Sequence, residues 1–282
     1  MKNVDQAYNV IDVSFMTTMT PGAIPTFTPQ ASDFIQQIEY QHSWGHKVLL
    51  SLGGATANIK MALSQQQAFE NQIKTYVSEY GIDGIDIDLE GGSITAGDNE
   101  KVIVQSLINL KQYYSTQNKS FYISLAPEFP YLRGATGGYV SYINDLKGYY
   151  DWVNPQFYNQ FGDGISVEAA DHDAMPYLPW WLTNDNTQYK GEFLYLITKY
   201  IANGGGINNF VQIPADKLVM GLPATPSAAG SGYATNADIK KAYDLLVNNH
   251  VNARGLMTWA VNYDAKNNWN FANAFKETWG KQ

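Results

Sequence analysis

Apolar, β-branched runs recur along the chain at 10–15, 47–54, 84–90, 121–128, 152–159, 218–223 and 254–262, each beside a Gly, Pro or Asn cluster. Runs of this kind predict strands. Between them the apolar period lengthens to that of a helix. One helix is predicted from Ser64 as N-cap, with Phe69, Ile73 and Val77 four residues apart and Gly81 as the left-handed stop. Others are predicted over 31–44 before Gly45, over 99–114 through Ile103, Leu107, Leu110 and Tyr114, and over 236–248 through Ile239, Tyr243 and Leu246. Steady alternation of strand and helix implies parallel pairing with right-handed crossovers. So many units in succession favour an α/β fold of the closed (β/α)8 barrel type over an open doubly wound sheet. The count is seven strand-like runs where a barrel needs eight, and the first begins only at residue 10.

The 282 residues, 45% hydrophobic and 16% charged, supply a sizeable core, and one domain spanning 1–282 is expected. No Pro/Gly/Ser linker separates the chain; Gly204 to Gly206 and 227–232 read as loops. A net charge of −8 repels nucleic acid and anionic lipid, so a neutral partner is favoured. The absence of cysteine removes disulfides and thiolate chemistry. The N-terminus lacks the apolar centre of a signal peptide, and no apolar run is long enough to span a membrane. The 20 Tyr and 7 Trp offer flat apolar faces with polar edges, suited to sugar rings, although most such rings serve a core.

Residues 81–90 read Gly-Ile-Asp-Gly-Ile-Asp-Ile-Asp-Leu-Glu. In a strand Asp86, Asp88 and Glu90 share one face, and Ile85, Ile87 and Leu89 the other. Neighbouring carboxylates then lie within roughly 7 Å and couple their titrations. Like charges in a poorly solvated site raise one another's pKa, so the array retains a proton near neutral pH and can serve as a general acid. Glu90 comes last, at the C-terminal end of its strand, where barrel active sites lie. Asp83, out of phase with the rest, is expected to brace the strand entrance by hydrogen bonding. A solvent-facing acidic strand is disfavoured by the alternating Ile, Ile and Leu. A divalent-metal site is disfavoured by the lack of a neighbouring His or carbonyl cluster, so no metal and no cofactor are expected.

This motif, Asp-x-x-Asp-x-Asp-x-Glu at Asp83, Asp86, Asp88 and Glu90, resembles the signature of glycoside hydrolase family 18. Ser51-Leu52-Gly53-Gly54 is similar to the family's Ser-x-Gly-Gly, Leu125 to Glu128 to its fifth-strand segment, Gln156-Phe157-Tyr158-Asn159 to the sixth-strand motif of the bacterial and plant chitinase branch, and Gly255 to Trp259 to the last strand. The resemblance runs from about residue 10 to 264. It implies a chitinase acting on β-1,4-linked N-acetylglucosamine polymers by retaining, substrate-assisted hydrolysis. On that likeness Glu90 is acid and then base, Asp88 orients the acetamido N–H, Asp86 shares a proton with Asp88 and is supported by Ser51, and Tyr158 donates to the acetamido oxygen. Gln156 and Trp259 contact the same sugar. Asn159, Glu128 and Met257 join them as substrate-binding candidates, Glu128 being equally well a buried structural acid. Gly53 and Gly54 shape the strand end. Alternatives are an endo-β-N-acetylglucosaminidase acting on N-glycans and a non-catalytic chitin-binding relative.

The chain departs from the family pattern in two places. The segment from Tyr8 to Phe15 already resembles the second strand, which predicts a barrel with its first strand missing or substituted and unpaired edges open to association in an otherwise monomeric protein. Residues 226–253 leave room for one helix and no inserted domain, which implies an open cleft and endo-acting cleavage. The family likeness also implies an extracellular setting. The Met175 to Trp181 segment is expected to be a stiff aromatic loop, His42 and His46 surface residues, and Asp171-His172-Asp173 a solvated turn.

Overall fold

The structure, a computed structural model, describes residues 1–94 and 97–281. The backbone divides into two compact units, Met1–Pro127 with Ser141–Asp151, and Glu128–Val140 with Trp152–Gln282.

The first unit carries β1 (Val10–Met16), α1 (Phe34–Ser43), β2 (Lys47–Gly53), α2 (Gln66–Tyr80), β3 (Gly84–Asp88), α3 (Asp98–Ser115) and β4 (Tyr122–Leu125), joined by α4 (Val140–Asp145) from its Ser141 onward. β1 to β4 pair in parallel in that order. Val48, Leu50 and Leu52 of β2 and Ile85 and Ile87 of β3 are fully buried, as strands covered on both faces require. Phe69, Ile73 and Tyr76 of α2 and Ile103, Leu107 and Leu110 of α3 are buried with them; each such side chain contributes about 1.5–3 kcal/mol of apolar transfer. α2 ends at Gly81 with φ 78°, the left-handed stop that the sequence predicts.

None of residues 1–9 lies in a strand; they run through turns and a bend. Gln41 Nε2 donates to the Met1 carbonyl at 2.8 Å, which ties this segment to α1. Among the described residues β1 pairs with β2 alone; its Ser14 is exposed, and the register slips at Phe15.

The second unit holds β5 (Trp152–Val153), β6 (Gly164–Ser166), α5 (Ala169–Ala174), β7 (Trp181–Thr183), α6 (Lys190–Asn203), β8 (Val219–Pro223), α7 (Asn236–Asn248), β9 (Gly255–Trp259), α8 (Val261–Lys266) and α9 (Asn270–Glu277). β8 and β9 are parallel, and single bridges join Val153 to Leu218 and Gln156 to Gly221. The predicted 152–159 strand is thus regular over two residues only, because Pro155 lacks the N–H a ladder needs and Asn159 turns left-handed at φ 66°.

Three readings are corrected here. The aromatic segment before residue 182 ends in a strand, since β7 pairs antiparallel with β6. Asp171 lies in α5 and is buried, accepting from Tyr200 Oη at 2.9 Å and pairing with Lys199 at 2.5 Å, while His172 stacks on Trp180 with centroids 3.8 Å apart. His46 is buried, its Nδ1 2.8 Å from Gln41 Oε1. No helix among the described residues is long and apolar enough to cross a membrane.

Candidate active site

In the first unit the acidic motif runs along β3, with Glu90 just past its end. Ser51 of β2 and Asp86 of β3 are register partners, as are Asp86 and Ser124 of β4. The two hydroxyls donate to the two oxygens of the Asp86 carboxyl, Ser51 Oγ to Oδ2 at 2.9 Å and Ser124 Oγ to Oδ1 at 2.7 Å. Asp86 and Asp88 are buried; Glu90, two residues further on the same face, is half-buried in extended conformation where the chain leaves the strand. Burial pushes the Asp86 carboxyl above the ordinary carboxylate range, and the Ser124 and Ser51 hydrogen bonds, which favour the charged form, oppose that rise.

The glycines set the spacing. The Gly54 N–H donates to the Asp88 carbonyl at 2.8 Å. At Gly53, with φ 127°, a β-carbon would stand 2.1 Å from that same oxygen. No residue with a side chain fits there, so the backbones of β2 and β3 close directly beside the acid pair. Gly54, at φ 86°, packs against the Phe15 ring.

At the entrance to β3, Asp83 Oδ2 accepts from the Val48 N–H at 2.8 Å and lies 2.8 Å from His42 Nε2, and Lys47 stands 4.0 Å from Oδ1.

In the second unit Glu128 bridges Gln156, Gln156 bridges Gly221, and Gly221 is the register partner of Met257, so these residues form one row across neighbouring strands. The row is close-packed, because a β-carbon on Gly221 would meet the Pro155 carbonyl at 2.5 Å and Met257 Cε at 2.8 Å. Two residues further on stand Tyr158, buried, and Trp259, half-buried and paired with Pro223. Gly232 packs against the Tyr158 backbone and fixes its position. Asn159 is exposed, and its side-chain oxygen accepts from the Gly230 N–H at 2.7 Å. Glu128 is half-buried, with Gln160 Nε2 3.4 Å from its Oε1.

The structure therefore gathers Ser51, Gly53, Gly54, Asp86, Asp88 and Glu90 in the first unit, and Glu128, Gln156, Tyr158, Met257 and Trp259 in the second. Among the described residues no cluster of His, Cys, Asp or Glu is arranged to hold a metal ion. Two polar groups beside Asp86 were missed by sequence reasoning. Ser124 is a lone small hydroxyl between Ile123 and Leu125, and Asp12 a lone acid between Ile11 and Val13. An isolated polar residue inside an apolar strand was the available signal for both.

The profile of the glycosyl hydrolases family 18 matches residues 6–280. The chain belongs to family 18 of the glycosyl hydrolases. Among relatives of this family 18 member, a chitinase of Enterococcus faecalis is 44% identical over 268 residues, covering 94% of this chain and 74% of that one. Chitinase D of Niallia circulans is 30% identical, covering 98% of this chain and 57% of its own length. A crystal structure of a family 18 chitinase from Chromobacterium violaceum superposes with a TM-score of 0.79 at 28% identity, over 97% of this chain and 77% of that one. The fold class is accordingly the α/β TIM barrel of family 18 hydrolases.

Proposed function

We propose that this glycoside hydrolase is a chitinase, cleaving β-1,4-linked N-acetylglucosamine polymers with retention of configuration. The observation that carries the reading is Glu90: a half-buried carboxyl at the end of β3, on the face where buried Asp86 is held by two hydroxyls. The names of the relatives at 44% and 30% identity agree with it. Glu90 protonates the glycosidic oxygen. The acetamido carbonyl of the substrate attacks the anomeric carbon to give an oxazolinium ion, and water opens that ion with Glu90 as base. Asp88 orients the acetamido N–H, and Asp86 with Ser51 sets the charge beneath it. For the second unit the proposal assigns sugar contacts to the Tyr158 phenol, the Gln156 amide and the Trp259 indole, with Asn159, Glu128 and Met257 beside them.

Endo-acting cleavage is part of the proposal, because α7 is the one regular element between β8 and β9 among the described residues, leaving no inserted domain to wall a groove. An extracellular setting fits an insoluble polymeric substrate. The test is hydrolysis of a fluorogenic chitooligosaccharide by the wild type and by Glu90→Gln, with a glycoprotein N-glycan assayed in parallel. The variant should lose at least roughly 10²–10⁴-fold in kcat, the usual contribution of a positioned general acid. Equal rates would remove Glu90 from the chemistry, and cleavage of the N-glycan alone would change the substrate. Stepwise disaccharide release from a long oligosaccharide would contradict endo action.

A further inference from the structure

Beneath Asp86 lies a second carboxyl group that the proposed reaction leaves unused. Asp12 of β1 pairs in register with Leu49, and Leu49 with Gly84; one level up, Ser14 pairs with Ser51, Ser51 with Asp86 and Asp86 with Ser124. Asp12 and Asp86 therefore share a face of the sheet, with Asp12 one side-chain level deeper. Between them β3 contributes only Gly84, where a β-carbon would meet the Tyr122 carbonyl at 2.0 Å. Asp12 Oδ1 is buried and has no hydrogen-bond partner.

We propose that Asp12 is a positioning residue for the acid array, a carboxyl that stays protonated near neutral pH and leaves Asp86 as the single buried charge of the pair during turnover. The inference rests on the hydrolase reading above. The surroundings dictate which of the two ionises. Asp86 receives two hydroxyl donors, which favour its anion, whereas Asp12 Oδ1 receives none. Burial, reinforced by the Asp86 charge, accordingly holds Asp12 well above the ordinary carboxylate range. Other groups do not offset this. β2 presents Leu49 and Ser51 on this face, and its Lys47 is turned to Asp83 and the Tyr122 ring; β4 presents Ser124 and Tyr122. Ionising Asp12, half-buried with its Oδ1 shielded from solvent, would place a second anion below Asp86 and draw a proton back onto it. In the wild type, the alkaline decline in activity therefore includes the loss of the Asp12 proton.

Asp12→Asn keeps the shape and cannot ionise, and Asp12→Ser is a smaller neutral control. Replacing a half-buried acid whose Oδ1 has no hydrogen-bond partner should leave both folded, which circular dichroism checks. Near neutral pH both should retain kcat within about an order of magnitude, and the alkaline limb of the kcat profile should move up by about one pH unit. A second readout is independent of turnover: the infrared difference between the wild type and each variant should contain a carboxylic-acid C=O band that persists above the ordinary carboxylate range. An unmoved alkaline limb, a uniform kcat loss with unchanged limbs, or no such band would each overturn the role of Asp12. Inactivity of the wild type on chitooligosaccharides would instead refute the chitinase reading, and the infrared titration would still decide the protonation of Asp12.

Discussion

Lys190 opens α6 and is 1% exposed. Its ammonium donates to the Asn184 carbonyl at 2.8 Å and to Asn184 Oδ1 at 3.0 Å, and lies 4.8 Å from the centroid of the Phe193 ring. Burial pulls its pKa down from 10.5 to about 7, against the smaller opposing fields of Asp238 and Asp185. In the unfolded chain the group returns to its ordinary value, so between pH 7 and 10.5 the unfolded state binds more protons and stability rises with pH. At 1.36 kcal/mol per unit, the full window is worth about 5 kcal/mol, an upper bound because relaxation and water entry soften burial. Lys190→Met removes the titration while keeping an unbranched side chain of similar reach. It also strands the two Asn184 acceptors, a loss of about 1–3 kcal/mol that does not depend on pH. The difference in stability between wild type and variant should therefore swing by about 3 kcal/mol in favour of the wild type from pH 6 to pH 9, or roughly 5 °C in Tm for a chain of this size. Calorimetric melts at the two pH values measure the swing directly. A constant offset between wild type and variant would show that Lys190 keeps its proton, and would refute the argument from burial.

Gly53→Ala should destabilise by at least about 3 kcal/mol, combining a disallowed φ with overpacking on the Asp88 carbonyl; urea unfolding showing wild-type stability would contradict the close approach of β2 and β3. Thr235→Ala should cost about 1 kcal/mol, or about 2 °C in Tm. That loss follows from the capping box at the start of α7, where Thr235 Oγ1 accepts from the Asp238 N–H at 3.2 Å and Asp238 Oδ2 from the Thr235 N–H at 2.9 Å. Thr235→Ser should melt with the wild type, and equal melting of all three would exclude the cap.

The parts of this fold that were legible in the sequence are those with a one-sided pattern. α7 runs over the predicted 236–248 because Ile239, Ala242 and Leu246 line one buried face and Thr235 caps it. α6 escaped the same reasoning. From Lys190 to Ile201 all but Lys199 are buried, so its apolar residues surround the helix and leave no stripe to detect. The antiparallel β6–β7 pair escaped because strands of three residues, one of them opening on exposed Trp181, carry no alternation long enough to read. The acidic motif was legible because strand parity alone places Asp86, Asp88 and Glu90 on one face. Ser124 and Asp12 depend on register, and register between parallel strands separated by helices is set by packing that no local pattern encodes. Asp171 looked like a surface residue because its partners Lys199 and Tyr200 lie on α6 and meet it only when helices assemble, and His46 because its partner Gln41 sits in the last turn of the helix just before it.

The contact between Gly53 and the Asp88 carbonyl has a practical corollary. Because main chain meets main chain there, and the Gly54 N–H closes the same junction, the framework that presents the acids does not depend on the acids themselves. An amide exchanged for the carboxyl of residue 90 would thus yield an inert template of native shape, suited to trapping an uncleaved oligosaccharide for calorimetry or crystallography.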